Sequence, residues 1–207
     1  MSATKEKILF TALALFARDG YEAVSTSTIA GELGITKGAL YKHYKSKLDI
    51  FHSIIMRMEE SDAENAQEAH VPEGTFEQHS PAYKNTQLSD ICLYSQRMFD
   101  YWTAEEFPCL FRRMLTVEQY RSHEMSSLYQ QYLASGPLNY LTDLFCEVFH
   151  TDREEAYQLA IELYSPMFLL YSVYDGSKDK ASVRQAAYAQ IEAFTAELPN
   201  KKVTSNT

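Results

Sequence analysis

Apolar residues recur at spacings of three and four along almost the whole chain, which is the period of one face of an α-helix. No stretch of useful length alternates apolar and polar residues as a half-buried strand does. Helix-breaking residues are scarce, with seven glycines and six prolines in 207 residues. The pattern therefore predicts an all-α protein whose helices are joined by short turns.

The first helix is predicted from about Thr4 to Arg18, and Gly20 stands just past its end as a left-handed stop. One face of this helix is apolar and is expected to be buried. It consists of Ile8, Leu9, Ala12, Leu13 and Phe16.

Two short helices and one long helix come next. Ser25 is expected to cap a helix that runs to Leu33, and Gly34 permits a sharp turn. Thr36 is expected to cap a second short helix that runs to about Tyr44. Ser46 and Asp49 then form a capping box, which predicts a long helix over about 47–66.

The rest of the chain is predicted as a loop followed by further helices. The polar segment at about 68–87, with Pro72, Gly74 and Pro81, is typical of a surface loop. Helices are predicted at about 88–104, 107–119 and 122–149, the last bent or broken at Gly136 and Pro137. A capping box at Thr151 and Glu154 predicts a helix ending at Gly176, and another is expected over about 179–198.

These elements suggest three parts. Residues 1–46 form a small N-terminal domain, residues 47–198 form a larger helical body, and residues 199–207 form a flexible tail.

The overall composition indicates a folded protein, since 45% of the residues are hydrophobic and 23% are charged. The apolar runs are far shorter than a bilayer span and the N-terminus lacks a signal-peptide core, so we expect a cytoplasmic protein with no membrane partner. Cys92, Cys109 and Cys146 are an odd set without CxxC spacing, which favours reduced, buried thiols over a disulfide or zinc site. No metal and no cofactor is expected.

The charge distribution is strongly asymmetric. Residues 1–48 hold seven Lys and Arg against four Asp and Glu, which gives +3. Because the whole chain carries −9, the remainder carries −12. A basic end on an acidic body is expected to direct that end toward a polyanion.

Residues 25–44 have the pattern of a helix-turn-helix. Ile29, Ala30 and Leu40 can form its small core around Gly34, and Ala30 leaves room for a close helix crossing. The opposite face of the second helix carries small residues and cations, which suits a DNA major groove. Its residues are Lys37, Gly38, Ala39, Tyr41, Lys42 and His43.

The same stretch resembles the DNA-binding head of the TetR family over roughly the first 55 residues. The resemblance rests on Gly20-Tyr21, Thr28-Ile29-Ala30, the run from Gly34 to Tyr44, and Lys47. It implies phosphate contacts from Thr26, Tyr41, His43 and Lys47, and base or groove contacts from Ser27, Lys37, Gly38 and Ala39, with Lys42 and Lys45 as further candidates. Thr28 departs from the family, which often has an acidic residue there that completes the helix cap.

A single short recognition helix reads few base pairs, so two copies are expected on half-sites roughly 34 Å apart or a multiple of it. The last two predicted helices each carry an apolar stripe, and together these suit a four-helix dimer interface. The stripes comprise Ala156, Ala160, Leu163, Met167, Leu170, Tyr174, Val183, Ala187, Ile191 and Phe194. The alternative is that both stripes pack inside one monomer. Pro166 is expected to kink its helix without ending it.

The body is rich in aromatic residues, which can line a pocket for a flat or amphipathic organic ligand or can be plain core. The candidates are Tyr94, Met98, Tyr101, Trp102, Phe111, Met114, Tyr120, Tyr129, Tyr132 and Tyr140. Arg112, Arg113, Glu118 and Arg121 either supply a charged contact or form a surface salt-bridge set.

From the resemblance we expect a homodimeric repressor in which ligand binding shifts the long helix from Lys47 onward and changes the separation of the two heads. A DNA-binding protein of the same fold, controlled by a protein partner or without an inducer, is the alternative. An enzyme is disfavoured because the six histidines show no metal-ligand spacing and no nucleophile motif accompanies them.

Overall fold

The computed structural model describes residues 3–69 and 87–204, and within them every regular element is an α-helix. The N-terminal helices are α1 (Ala3–Asp19), α2 (Thr26–Glu32), α3 (Lys37–Tyr41) and α4 (Lys47–Ala69). The later helices are α5 (Leu88–Thr103), α6 (Glu106–Glu118), α7 (His123–Leu133), α8 (Ser135–Phe149), α9 (Arg153–Gly176) and α10 (Lys180–Thr204). The all-α prediction is confirmed. Almost all of the predicted loop at 68–87 lies outside the described residues.

The chain divides into two compact units. The first, here called the head unit, runs to Asn65 and adds Glu106–Gln130; the second, the body unit, combines Ala66–Glu105 with the chain from Gln131 onward. The predicted division at 46/47 stays a prediction. These units are discontinuous in sequence, because α6 packs against α1.

The head unit is organised around the apolar face of α1. The predicted face is confirmed, since all five of its residues are buried. Ile29 and Leu40 from the two short helices and Ile50 from α4 are fully buried in the same unit. Burying a side chain of this size contributes roughly 1.5–3 kcal/mol relative to leaving it exposed.

The body unit is built from helix pairs. Helix α9 packs against α8 and α10, and α10 also packs against α5. Between α5 and α10, Asp100 Oδ2 accepts hydrogen bonds from Arg184 and, at 2.5 Å, from Tyr188 Oη. This polar contact lies beside an apolar core formed by the inward stripes of α9 and α10.

The predicted long helix at 122–149 is two helices, with the break at Ala134 (φ −129°, ψ −96°) rather than at Gly136 and Pro137. Pro137 lies in the first turn of α8, where a missing N–H leaves no helical hydrogen bond unmade. A Cβ at Gly136 would overlap the carbonyl oxygen of Gln131, so only glycine fits beside the break.

Two other predicted helix ends were wrong. Asp152, and not Thr151, caps α9, because its carboxylate accepts the N–H groups of Glu154 and Glu155 at 2.9 Å each. The Thr151 hydroxyl donates to the Glu155 carboxylate instead. The last helix continues beyond Leu198 to Thr204, so most of the segment predicted as a tail has helical backbone.

Candidate nucleic-acid interface

Local caps define the two short helices. Ser25 Oγ accepts the N–H of Thr28 at 3.0 Å, and Thr36 Oγ1 accepts the N–H of Ala39 at 3.1 Å. Between the helices Gly34 has φ +65°, a conformation that costs a side-chain-bearing residue energy. Both predicted caps and the glycine turn are confirmed, and α2 and α3 pack against each other as a helix-turn-helix requires.

The helix α3 exposes the residues that the sequence singled out. Lys37, Gly38 and Lys42 are exposed, and Tyr41 is 44% exposed. Lys37 Nζ lies 5.7 Å from the centre of the Tyr41 ring. The surface therefore combines cations, a phenol and a residue without a side chain, so a second molecule can approach its backbone closely.

The remaining candidates occupy the edges of this surface. Ser27 is exposed, whereas Ala39 and His43 are half-buried. Thr26 is buried, and its Oγ1 lies 3.2 Å from Tyr41 Oη. Thr26 thus ties the start of α2 to the end of α3, and its contact with phosphate stays a prediction.

Lys47 begins α4 and is held by Tyr21. Its Nζ donates to the Tyr21 carbonyl oxygen at 2.8 Å and lies 4.1 Å from the centre of the Tyr21 ring. Burial raises the pKa of Tyr21, with nearby Glu22 and Glu124 adding to the shift. Because an ammonium group has three N–H donors, this arrangement leaves two for another acceptor.

Tyr44 fixes the end of the recognition segment to α1. Its side chain is buried, its Oη donates to the Lys5 carbonyl oxygen at 3.1 Å, and Lys5 Nζ lies 5.1 Å from the ring centre. Burial, aided by Glu6 and Asp49, raises the pKa of Tyr44 to about 12. From the sequence, Tyr44 was expected only as the end of a short helix and as part of the family resemblance, and no local pattern indicated this anchor.

Glu118 was also misjudged from the sequence. It is 1% exposed, and its Oε1 accepts the N–H of Tyr21 at 2.9 Å. Arg121 Nε lies 3.4 Å from the same oxygen. Arg112 is buried too, so these residues do not form a surface salt-bridge set. Tyr21 and Glu118 are 97 positions apart in the sequence, so no local pattern indicated the contact.

The predicted ligand-binding residues are divided between the two units. Phe111 and Met114 are fully buried in the head unit. In the body unit Tyr101, Trp102 and Tyr132 are buried and Tyr94, Met98 and Tyr140 are half-buried, with the Tyr94 and Tyr140 rings 5.9 Å apart. Tyr129 is half-buried. Tyr120 is 91% exposed and is therefore unsuited to line an enclosed pocket.

The predicted dimer stripes lie in the core of the body unit, which is the alternative that the sequence left open. Eight of the ten residues are buried within the single chain, and only Leu170 and Tyr174 are half-buried. Helix α9 also exposes four large apolar residues: Tyr157, Phe168, Leu169 and Val173. On α10 the exposed side carries Ala186, Ala189, Ala193 and Ala196.

The three cysteines are free thiols, but only Cys109 is buried; Cys92 and Cys146 are half-buried. Partial burial raises the pKa of the Cys146 thiol. Among the side chains that the structure describes, no three His, Cys, Asp or Glu residues are grouped closely enough to hold a metal ion. None of the helices in residues 3–69 and 87–204 combines the length and apolar character of a membrane span.

Known proteins resemble this chain in the region of the helix-turn-helix. Residues 8–54 match the family model of bacterial regulatory proteins, tetR family. The uncharacterized HTH-type transcriptional regulator YerO of Bacillus subtilis is 49% identical over 47 residues, covering 23% of this chain and 16% of YerO. The HTH-type transcriptional repressor BepR of Brucella suis is 44% identical over 54 residues, covering 26% of each protein. The chain therefore matches only 16% of the length of YerO and 26% of the length of BepR.

Solved structures extend the likeness of the fold to nearly the whole chain. The structure of a SmeT–triclosan complex has a TM-score of 0.64 at 15% identity and covers 94% of this chain and 91% of that one. The Bacillus subtilis regulator FadR in complex with stearoyl-CoA has a TM-score of 0.55 at 18% identity, covering 92% and 97%. The fold and the site define a helix-turn-helix protein. Its residues 8–54 match the tetR family of bacterial regulatory proteins.

Proposed function

We propose that this protein is a transcriptional regulator that acts as a repressor, binding a palindromic operator as a homodimer and released by a small organic ligand. The observation that carries the proposal is the exposed face of α3, where Lys37, Gly38, Tyr41 and Lys42 stand together above a capped helix-turn-helix. Such a face combines charge for the phosphates with small residues that admit base edges.

The charge distribution supports DNA as the polyanion. The +3 of residues 1–48 is concentrated on the segment that carries α3, whereas the remainder of the chain is acidic. Cationic residues near phosphates release counterions and supply most of the sequence-independent affinity. Lys47, already held by Tyr21, is the proposed contact at the start of α4.

The homodimer is proposed to form through the exposed sides of α9 and α10. Leu169 and Val173 are large apolar side chains at the surface, and the alanines of α10 allow another helix to approach closely. Exposed apolar stripes on two neighbouring helices suit a four-helix contact with a second copy. This replaces the buried stripes that the sequence suggested.

The proposed ligand is a flat or amphipathic molecule bound by the aromatic residues of the body unit. Trp102, Tyr101 and Tyr94 lie on α5, with Tyr140 near Tyr94 on α8. Support comes from two proteins of the same fold, whose names give triclosan and stearoyl-CoA as bound molecules. We propose that binding shifts α4 and so changes the separation of the two heads.

Fluorescence anisotropy with labelled DNA from upstream of the gene tests the DNA-binding proposal. We expect tight, palindrome-dependent binding that is lost in a K37A/Y41A/K47A variant. The control K7A/K178A removes the same positive charge from two exposed lysines outside the proposed face and should bind nearly normally. Equal weak binding to operator and scrambled DNA, followed by failure of a random-sequence selection, would contradict the proposal.

Ligand release is tested by adding triclosan or stearoyl-CoA to the operator complex. A coupling of about 1–3 kcal/mol would weaken operator binding roughly 5- to 150-fold. W102F should reduce the response, whereas Y120F, a change at the exposed tyrosine, should leave it unchanged. A probe that binds equally to free and operator-bound protein would argue against ligand-controlled release by that class of molecule.

A further inference from the structure

We propose that Glu118 is a positioning residue for DNA binding: it holds the Tyr21 peptide so that Tyr21 in turn orients the Lys47 ammonium toward an operator phosphate. The inference rests on the proposed function and adds to it a residue that does not touch DNA. All three residues belong to the head unit.

The first link is the carboxylate of Glu118. It is buried at the last residue of α6 and accepts the Tyr21 N–H at 2.9 Å. Arg121 Nε stands 3.4 Å from the same oxygen, and the Arg121 N–H donates to the Glu118 carbonyl at 2.9 Å. A buried charge is tolerated only when it is paired and hydrogen-bonded, so this contact restrains both α6 and the turn.

Gly20 makes the close approach possible. It has φ +86°, and a Cβ built there would lie 2.9 Å from Glu118 Oε1. Any side chain at this position would therefore push the carboxylate away from the Tyr21 N–H. The glycine meets two requirements at once, one of backbone conformation and one of space.

The second link joins Tyr21 to Lys47. The Tyr21 carbonyl accepts Lys47 Nζ at 2.8 Å, and the Tyr21 ring lies beneath the ammonium, 4.1 Å from Nζ to ring centre. Phe16 and Phe51 flank that ring, with centroids 5.1 and 5.3 Å away. Lysine has a flexible four-carbon stem, so fixing its ammonium in advance lowers the entropy lost when it binds phosphate.

A simpler role for Glu118 would be to stabilise the packing of α6 on α1, with no effect on how Lys47 meets DNA. The two roles predict different double-mutant behaviour. If Glu118 acts through Lys47, removing Glu118 should no longer weaken operator binding once Lys47 is absent. If Glu118 only stabilises the fold, its removal should weaken operator binding by the same factor with and without Lys47.

The experiment measures operator affinity by fluorescence anisotropy for the full-length wild type, E118A, K47A and E118A/K47A. We expect E118A to weaken binding about tenfold, which corresponds to roughly 1.4 kcal/mol. In the K47A background the same change should cost less than about twofold, as expected for coupled residues. E118Q, which keeps an oxygen that can accept the Tyr21 N–H, should lose less affinity than E118A and guards against misfolding of the alanine variant.

The control E106Q removes the same negative charge from an exposed glutamate on α6 and should bind DNA at least as tightly as the wild type. Hydrogen exchange of the Tyr21 amide, measured without DNA, should be faster in E118A. The inference would be overturned if E118A bound the operator as tightly as the wild type, or if it lost the same factor with and without Lys47. An unchanged exchange rate of the Tyr21 amide in E118A would overturn it as well. If the wild type itself did not prefer operator DNA, the proposed function would fail first.

Discussion

The head unit and the body unit differ in what they expose. Around a buried apolar core, the head unit exposes lysines and small residues on α3, whereas the body unit exposes Leu169 and Val173 on α9. Helix α9 is thus apolar on two sides, one packed within the chain and one at the surface. From this difference we propose that the surface of α3 meets a charged, hydrated partner and that the exposed side of α9 meets an apolar one.

Raising the salt concentration should weaken the charged contact with DNA but not the apolar contact between protomers. This is the largest of the expected effects. With six to eight phosphate contacts per dimer, operator affinity should fall about 10³- to 10⁴-fold between roughly 50 and 200 mM salt, a log–log slope of about −5 to −7. The apolar dimer contact should change little. K42A should reduce the slope by about 2, since each dimer loses two cations. K178A is the control, and a wild-type slope near zero would contradict phosphate binding.

A charge on the exposed side of α9 should break the dimer. L169E places a carboxylate on a side chain that is 64% exposed, and we expect monomers in sedimentation velocity with operator binding about 100-fold weaker, because paired heads bind by avidity. L93E makes the same change at a leucine that is 65% exposed on α5. If L93E dissociates the protein as readily, or L169E stays dimeric, the interface is elsewhere.

Tyr44 should make the head unit sensitive to alkali. Below pH 10 the phenol is protonated in both states, but because burial raises its folded-state pKa to about 12, only the unfolded chain loses the proton between those values. The free energy of unfolding should fall by about 2–3 kcal/mol over this window. Y44F should be about 1 kcal/mol less stable near pH 8, through loss of the Lys5 hydrogen bond, yet decline less in alkali.

Urea unfolding across pH 8–11.5 measures this difference, and Y120F, at the exposed tyrosine, should follow the wild type. An identical alkaline decline in Y44F and the wild type would show that Tyr44 ionises as readily in the folded state as in the unfolded one.

Replacing two glycines of the helix-turn-helix by alanine should change the free energy of unfolding in opposite directions. These are the smallest of the expected effects. G34A should destabilise by about 1–2 kcal/mol because its φ is +65°, although space for a Cβ is open. G31A lies inside α2 with open space and no positive φ, so it should stabilise by about 0.5–1 kcal/mol. Chemical unfolding measures both, and a shift of the same sign in the two variants would refute the backbone argument.

Several parts of the fold and site followed from the sequence because they depend on near neighbours. Ser25 and Thr36 cap helices through N–H groups three residues away, and Gly34 adopts its positive φ in a turn of only a few residues. The exposed Lys37 and Lys42 also followed, since a short amphipathic helix has one side for its core and the other for solvent.

Other features required the tertiary structure. The period of Ala156, Ala160 and Leu163 predicted an apolar stripe, but a stripe that packs within one chain has the same period as one that packs against a partner. Likewise, both Thr151 and Asp152 are residue types that cap helices, and only the geometry of the structure shows that Asp152 caps α9.

The sequence by itself determined the all-helical fold, the short helices of the helix-turn-helix and the charge asymmetry, because each of these depends on local spacing and composition. Only the tertiary structure decided which stripes are buried and brought Glu118 to the turn at Gly20 and Tyr21. The physical reason is distance along the chain: a hydrogen bond between residues 97 positions apart depends on how α6 packs against α1, and no local pattern encodes that packing.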